Sequence, residues 1–118
     1  MPISPVEYLR HILDEARYLT KESIQFSKSE FVVNETTKRA FVRSIEIIGE
    51  ASKKVPADFK QRHSNLDWRA MAGMRDRLIH DYFGVDYDIV WDVARNKASK
   101  LQNDFETILK EYDSPERR

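Results

Sequence analysis

Apolar residues recur every three or four positions along four stretches of this chain, which is the spacing of amphipathic helices. Val6, Leu9, Leu13, Ala16, Leu19 and Phe26 carry the first stripe and predict a helix over roughly residues 4 to 27. Ser4-Pro5-Val6-Glu7 opens it as a capping box with proline in the first turn. A polar joint spans Ser27 to Asn34. Phe41, Ile45, Ile48 and Val55 then mark a second long helix, which Pro56 stops. Residues 56 to 66 form a connection with room for one short helical turn.

Asp67 is the expected N-cap of a third helix, with Leu66 and Met71 placed as a hydrophobic staple. This helix is expected to reach about Tyr82, with Gly84 just beyond its end. The fourth begins among the acidic residues Asp86 to Asp88, which suit the positive end of a helix dipole. Trp91, Ala94, Ala98, Leu101, Phe105, Ile108 and Tyr112 keep a strict alternation of three and four, the mark of a core or dimer-seam face. The pattern predicts an all-α, antiparallel up-and-down bundle of four main helices. No repeat and no strand pattern interrupts it, and residues 113 to 118 read as a frayed tail.

Composition narrows the function classes. The 118 residues suit one domain with one core. With no cysteine, disulfides, thiolate metal sites and cysteine nucleophiles are excluded, and three histidines alone make a poor transition-metal site. No metal and no cofactor is expected. No apolar run is long enough to span a bilayer, and the start of the chain lacks the layout of a secretory signal, so a cytoplasmic protein with no membrane role is expected.

Twenty basic and twenty acidic residues cancel, so any attraction for phosphate must be local. The distribution is uneven. Lys60 to His80 holds five Lys or Arg against two Asp, whereas Asp81 to Asp92 holds four Asp and no Lys or Arg. That aspartate series lacks the ligand spacing of a calcium loop and reads as capping and solvation. His63, in the polar connection, reads as exposed.

The candidate chemistry lies on the third helix. Trp68, Met71, Arg75, Leu78 and Tyr82 share one face if the helix continues that far, which sets a guanidinium amid an apolar and aromatic stripe. An arginine there needs a reason, because a buried charge is costly unless paired. Two reasons stand side by side: a structural ion pair with Glu46 or Glu50 on the second helix, or an anion cleft in which the planar fork grips phosphate. His80, five positions on, points about 140° away from Arg75 on an ideal helix. The two converge only if the last turn loosens or a second subunit completes the site. Arg69 and Arg77 are exposed candidates for guiding phosphate, or plain solvated charge.

Arg75-Asp76-Arg77-Leu78-Ile79-His80-Asp81-Tyr82 resembles the R-x4-H-x-Y signature of HepT-type HEPN proteins. Ile45-Glu46-Ile47-Ile48-Gly49-Glu50-Ala51 is similar to the second-helix block of that family. Trp68-Arg69-Ala70-Met71-Ala72-Gly73-Met74 leads into the motif, and Asp81-Tyr82-Phe83-Gly84-Val85-Asp86 with Ile89-Val90-Trp91 follows it, in the family's order. The resemblance spans nearly the whole chain, residues 1 to 118 as one HEPN domain. It implies a homodimer whose two motifs share a cleft, and cleavage of RNA without metal. It further implies a toxin neutralised by an MntA-like nucleotidyltransferase antitoxin, which transfers AMP onto the motif tyrosine, here Tyr82. On this reading Arg75 and His80 are catalytic and Tyr82 supports them and accepts the modification. A rival reading, from a different class, is a non-catalytic HEPN module that binds the nucleotidyltransferase or a nucleotide.

Overall fold

The computed structural model describes residues 4–79 and 84–112, and the described residues are helical almost throughout. Helix α1 (Pro5–Ser23) starts on Ser4, whose hydroxyl accepts a hydrogen bond from the Glu7 N–H, with Pro5 in the first turn. It ends four residues earlier than its apolar stripe suggests, and Phe26 packs on the core from outside the helix.

The expected polar joint is itself structured. A reciprocal capping box between Ser27 and Glu30 starts a short helix, α2 (Lys28–Val32), which drives Phe31 into full burial. Asn34 then caps α3 (Glu35–Lys54), whose last residues give way to an extended Val55 ahead of Pro56. The short helix α4 (Ala57–Arg62) fills the connection. His63 closes it and is not exposed as expected. Its ring stacks on Phe59 at 4.5 Å, its Nε2 lies 3.4 Å from the Tyr112 hydroxyl, and its carbonyl accepts from the Trp68 indole.

The third predicted helix is two short ones. Asp67 caps α5 (Trp68–Ala72) through the Ala70 N–H, and Leu66 and Met71 are both buried as a staple requires. The chain bends at Gly73 and resumes as α6 (Met74–Leu78). Glycine is among the weakest helix formers, so continuity yields there first. Helix α6 stops at Leu78, well short of the expected Tyr82, because Ile79 turns extended and pairs antiparallel with Val85. Gly84 takes a positive φ (98°), which glycine adopts without strain, but it stands several residues past the helix end rather than just beyond it.

Asp86 then caps α7 (Tyr87–Asp92), accepting from the Asp88 and Ile89 N–H groups. A π-helical turn (Val93–Lys97) joins α7 to α8 (Ala98–Tyr112). This wider turn shifts the helical phase, so the predicted stripe is only partly the buried one. Ala94, Ala98, Phe105 and Ile108 are buried as expected, joined by Val90, Val93 and Leu109, whereas Trp91, Leu101 and Tyr112 are half-buried.

Packing follows from these faces. Helix α1 lies between α3 and α8 and buries Leu9, Ile12, Leu13, Ala16 and Leu19 against them. The π-helical turn and α8 run antiparallel to α1: Arg17 meets Glu106 in the middle of α8, and the Ser23 hydroxyl at the end of α1 donates to the Ala94 carbonyl in the π-helical turn. Each large side chain so buried contributes about 1.5–3 kcal/mol. Helices α5 and α6 lie across α3, and α6 also touches α7. No described helix is long and apolar enough to cross a membrane.

Candidate active site

Helix α3 and helix α6 meet at a charged seam. Arg75 leaves α6 towards α3, where its Nε donates to Glu46 Oε2 at 3.1 Å. Its Nη1 lies 3.8 Å from the Asp76 carboxylate. The other oxygen of Glu46 faces Arg43 at 4.0 Å, and Arg43 is equally close to Glu50. A single carboxylate thus stands between two guanidinium groups from two helices.

Arg75 is not the buried charge that helical phase suggests. Its side chain keeps 48% of its exposure, while Trp68, Met71 and Leu78 of the same predicted stripe are buried. The bend at Gly73 accounts for this, since α6 does not continue the phase of α5. Both proposed reasons for Arg75 remain physically compatible. The ion pair with Glu46 occupies the Nε edge, and half of a five-donor group still meets solvent.

How α3 comes so near is legible in one residue. Gly49 lies one turn beyond Glu46, and a methyl group added there would sit 3.4 Å from the Met71 carbonyl and 3.5 Å from that of Ala72. A side chain no larger than a methyl lets α3 seat against the end of α5, which sets Glu46 opposite Arg75.

Arg69 and Arg77 are exposed, and Arg77 does not join Arg75. It leaves the other side of α6, at the edge of a hollow of about 180 Å³ floored by Met74, Leu78, Ile89 and Val93. Across that hollow the Asn96 amide, helped by Lys97 and Arg77, holds the Asp92 carboxyl below the usual carboxylate range. Asp88 pairs with Lys28 at 2.9 Å and Asp86 caps a helix, so these three aspartates are engaged in capping and pairing. His80, Asp81 and Tyr82 lie outside the described residues, but both flanks of their segment are held. Besides the Ile79–Val85 pairing, the Asp86 N–H donates to the Leu78 carbonyl at 2.7 Å. Because α6 stops at Leu78, the 140° phase offset between Arg75 and His80 no longer applies.

Arg43 escaped the sequence reading. The signal was available: Arg43, Glu46 and Glu50 are spaced by three and four, so they share a face of α3 with charges of opposite sign.

The family model for HepT-like ribonucleases matches residues 11–108, which take in most of α1 and of α8, every helix between them and the whole charged seam. The chain belongs to the HepT-like ribonuclease family. Relatives match over most or all of their length. A protein of Caldanaerobacter subterraneus subsp. tengcongensis named "Putative RNase" is 44% identical over 106 residues, covering 90% of this chain and 95% of its own. "Probable ribonuclease HepT" of Thermococcus cleftensis is 38% identical over 110 residues, covering 93% of this chain and all of its own. A "Putative RNase" of Methanocaldococcus jannaschii is 38% identical over 108 residues, 92% of this chain and 84% of its own. No solved structure matches the chain.

Proposed function

We propose that this protein is a metal-independent endoribonuclease acting as the toxin of a toxin–antitoxin pair, with residues 1 to 118 forming one HEPN domain. The observation that carries the reading is Arg75: a half-exposed guanidinium held at Nε by Glu46, with Asp76 3.8 Å from its Nη1, five residues before His80 in a chain of this family.

The chemistry needs no group beyond the chain and its substrate. The 2′-hydroxyl of RNA attacks the adjacent phosphorus, the P–O5′ bond breaks, and a 2′,3′-cyclic phosphate and a free 5′-hydroxyl result. One imidazole takes the 2′ proton and one delivers a proton to the leaving oxygen, a task suited to a side chain titrating near neutral pH. His80 fills these roles, one copy from each subunit of a homodimer. Arg75 binds the phosphate and offsets the charge that builds on its oxygens. Arg69 guides the strand and Tyr82 orients substrate beside His80, while Arg77, on the other side of α6 from Arg75, lines the neighbouring hollow.

Tyr82 also receives AMP from an MntA-like nucleotidyltransferase. The added phosphate and purine then repel and exclude RNA from the same place. Co-expression with that enzyme should add the mass of one or more AMP units at Tyr82, and Tyr82→Phe should abolish the increase. In the absence of the antitoxin, induced wild-type chain should arrest growth in a cytoplasmic host while folded Arg75→Ala does not. AMP mapping to another residue, or equal arrest by the Arg75 variant, would sink the corresponding half of the reading.

A further inference from the structure

We infer that Glu46 is a positioning residue for Arg75, holding the guanidinium by its Nε–H so that its terminal nitrogens stay aimed at the phosphate; the inference rests on the ribonuclease reading above. Three observations carry it. The contact is a direct 3.1 Å hydrogen bond between residues 29 positions apart, so it depends on the fold and not on local helix geometry. Glu46 is the more buried partner, 23% exposed against 48% for Arg75, so the carboxylate is the fixed post and the arginine the tethered group. The post is itself set by backbone packing, because Gly49, one turn along the same helix, leaves space for no more than a methyl group against α5.

The geometry of guanidinium explains why this edge matters. Arginine carries one Nε–H and four terminal N–H groups in a rigid plane. A partner at Nε fixes the orientation of that plane without using the terminal pair; Asp76 lies 3.8 Å from Nη1, a long and mostly exposed contact that phosphate can displace to make its own bidentate contact. Without the tether, a half-exposed side chain samples several rotamers and must be ordered again at each turnover. Arg43, 4.0 Å from the second oxygen of Glu46, offsets the negative charge that a lone carboxylate would turn towards RNA.

A screening role and a positioning role predict opposite kinetics, which makes the test sharp. Steady-state cleavage of a fluorogenic mixed-sequence RNA oligonucleotide should be measured for wild type, Glu46→Ala, Glu46→Gln and Arg75→Lys, and for the double variant of Glu46→Ala with Arg75→Lys. Losing a negative charge near the strand does not weaken ground-state binding, so KM in Glu46→Ala should stay level or fall. Its kcat should drop by about tenfold, because the lost aim is felt in the transition state. Glu46→Gln keeps an acceptor oxygen and should recover most of kcat. Lysine has no Nε–H for Glu46 to hold, so in the Arg75→Lys background Glu46→Ala should cost nothing further. Unchanged kcat in Glu46→Ala, or full additivity with Arg75→Lys, overturns the inference while leaving the ribonuclease intact. A wild-type chain that cleaves no RNA overturns both.

Discussion

Ile79 and Val85 pair antiparallel across the segment that carries His80 and Tyr82, so the two flanks of the motif leave and re-enter the bundle side by side. The pairing sits immediately after α6 and immediately before the Asp86 cap of α7. The α7 cap therefore stands at the point where the chain re-enters the bundle after the proposed site. Asp86→Ala removes the acceptor of two N–H groups and should cost about 1 kcal/mol of stability, read as a fall in Tm. Asp86→Asn, also a good cap, should restore most of it. An alanine variant that melts with wild type would show that the cap does not hold this end of the motif.

Phe31 is the main surprise of the core. It is fully buried, with rings of Phe41 at 5.1 Å and Trp91 at 5.2 Å. Phe31→Ala should destabilise the fold by about 3–5 kcal/mol, measured by urea denaturation. A loss below about 1 kcal/mol would mean that α2 is not part of the core.

Much of the fold was legible in the sequence, and the failures have separate physical causes. Periodicity located α1, α3 and α8 because each buries one continuous face along many turns. It missed α2, since a five-residue helix is too short to show a period, although Ser27 and Glu30 spelled its capping box. It ran the third helix on to Tyr82 because Met71, Arg75, Leu78 and Tyr82 keep the spacing of three and four. Nothing local reveals that Ile79 pairs with Val85 instead. At the site, an ion pair of Arg75 with Glu46 or Glu50 is one of two readings the sequence leaves open, and the structure pairs it with Glu46. The exposure of Arg75 was not foreseen, because it follows from the bend at Gly73.

Gly49 offers a graded test of how α3 seats against α5. Its backbone is helical and a methyl group there meets the Met71 and Ala72 carbonyls at ordinary contact distance, so Gly49→Ala should be tolerated. Gly49→Val adds bulk that this contact cannot take, and should cost about 2 kcal/mol in chemical denaturation. It should also reduce cleavage below the melting range by moving Glu46 away from Arg75. Equal stability of the valine variant would show that the approach of α3 to α5 is loose.

Acid should weaken the fold through three surface carboxylates. The Ser27 backbone N–H holds Glu30 low, the Asn96 amide holds Asp92 low, and Arg17 holds Glu106 low. Each group is depressed in the folded state. Its contribution is therefore present above the ordinary carboxylate range and is lost as pH falls through the lowered folded value. Tm should be level from neutral pH down to mildly acidic conditions and fall below about pH 4. Glu106→Gln should flatten part of that fall, and identical acid profiles for variant and wild type would contradict the Arg17–Glu106 pairing.

Metal-free cleavage of RNA by this chain is proposed to depend on His80. Purified wild-type chain should be incubated with end-labelled RNA in excess chelator, beside a His80→Ala variant shown to be folded by circular dichroism. Wild type should cleave at a rate unaffected by chelator and leave 2′,3′-cyclic phosphate ends. His80→Ala should be slower by about a hundredfold or more, the scale of lost general acid–base catalysis. Cleavage by folded His80→Ala at the wild-type rate, or loss of wild-type cleavage in chelator, would contradict the account.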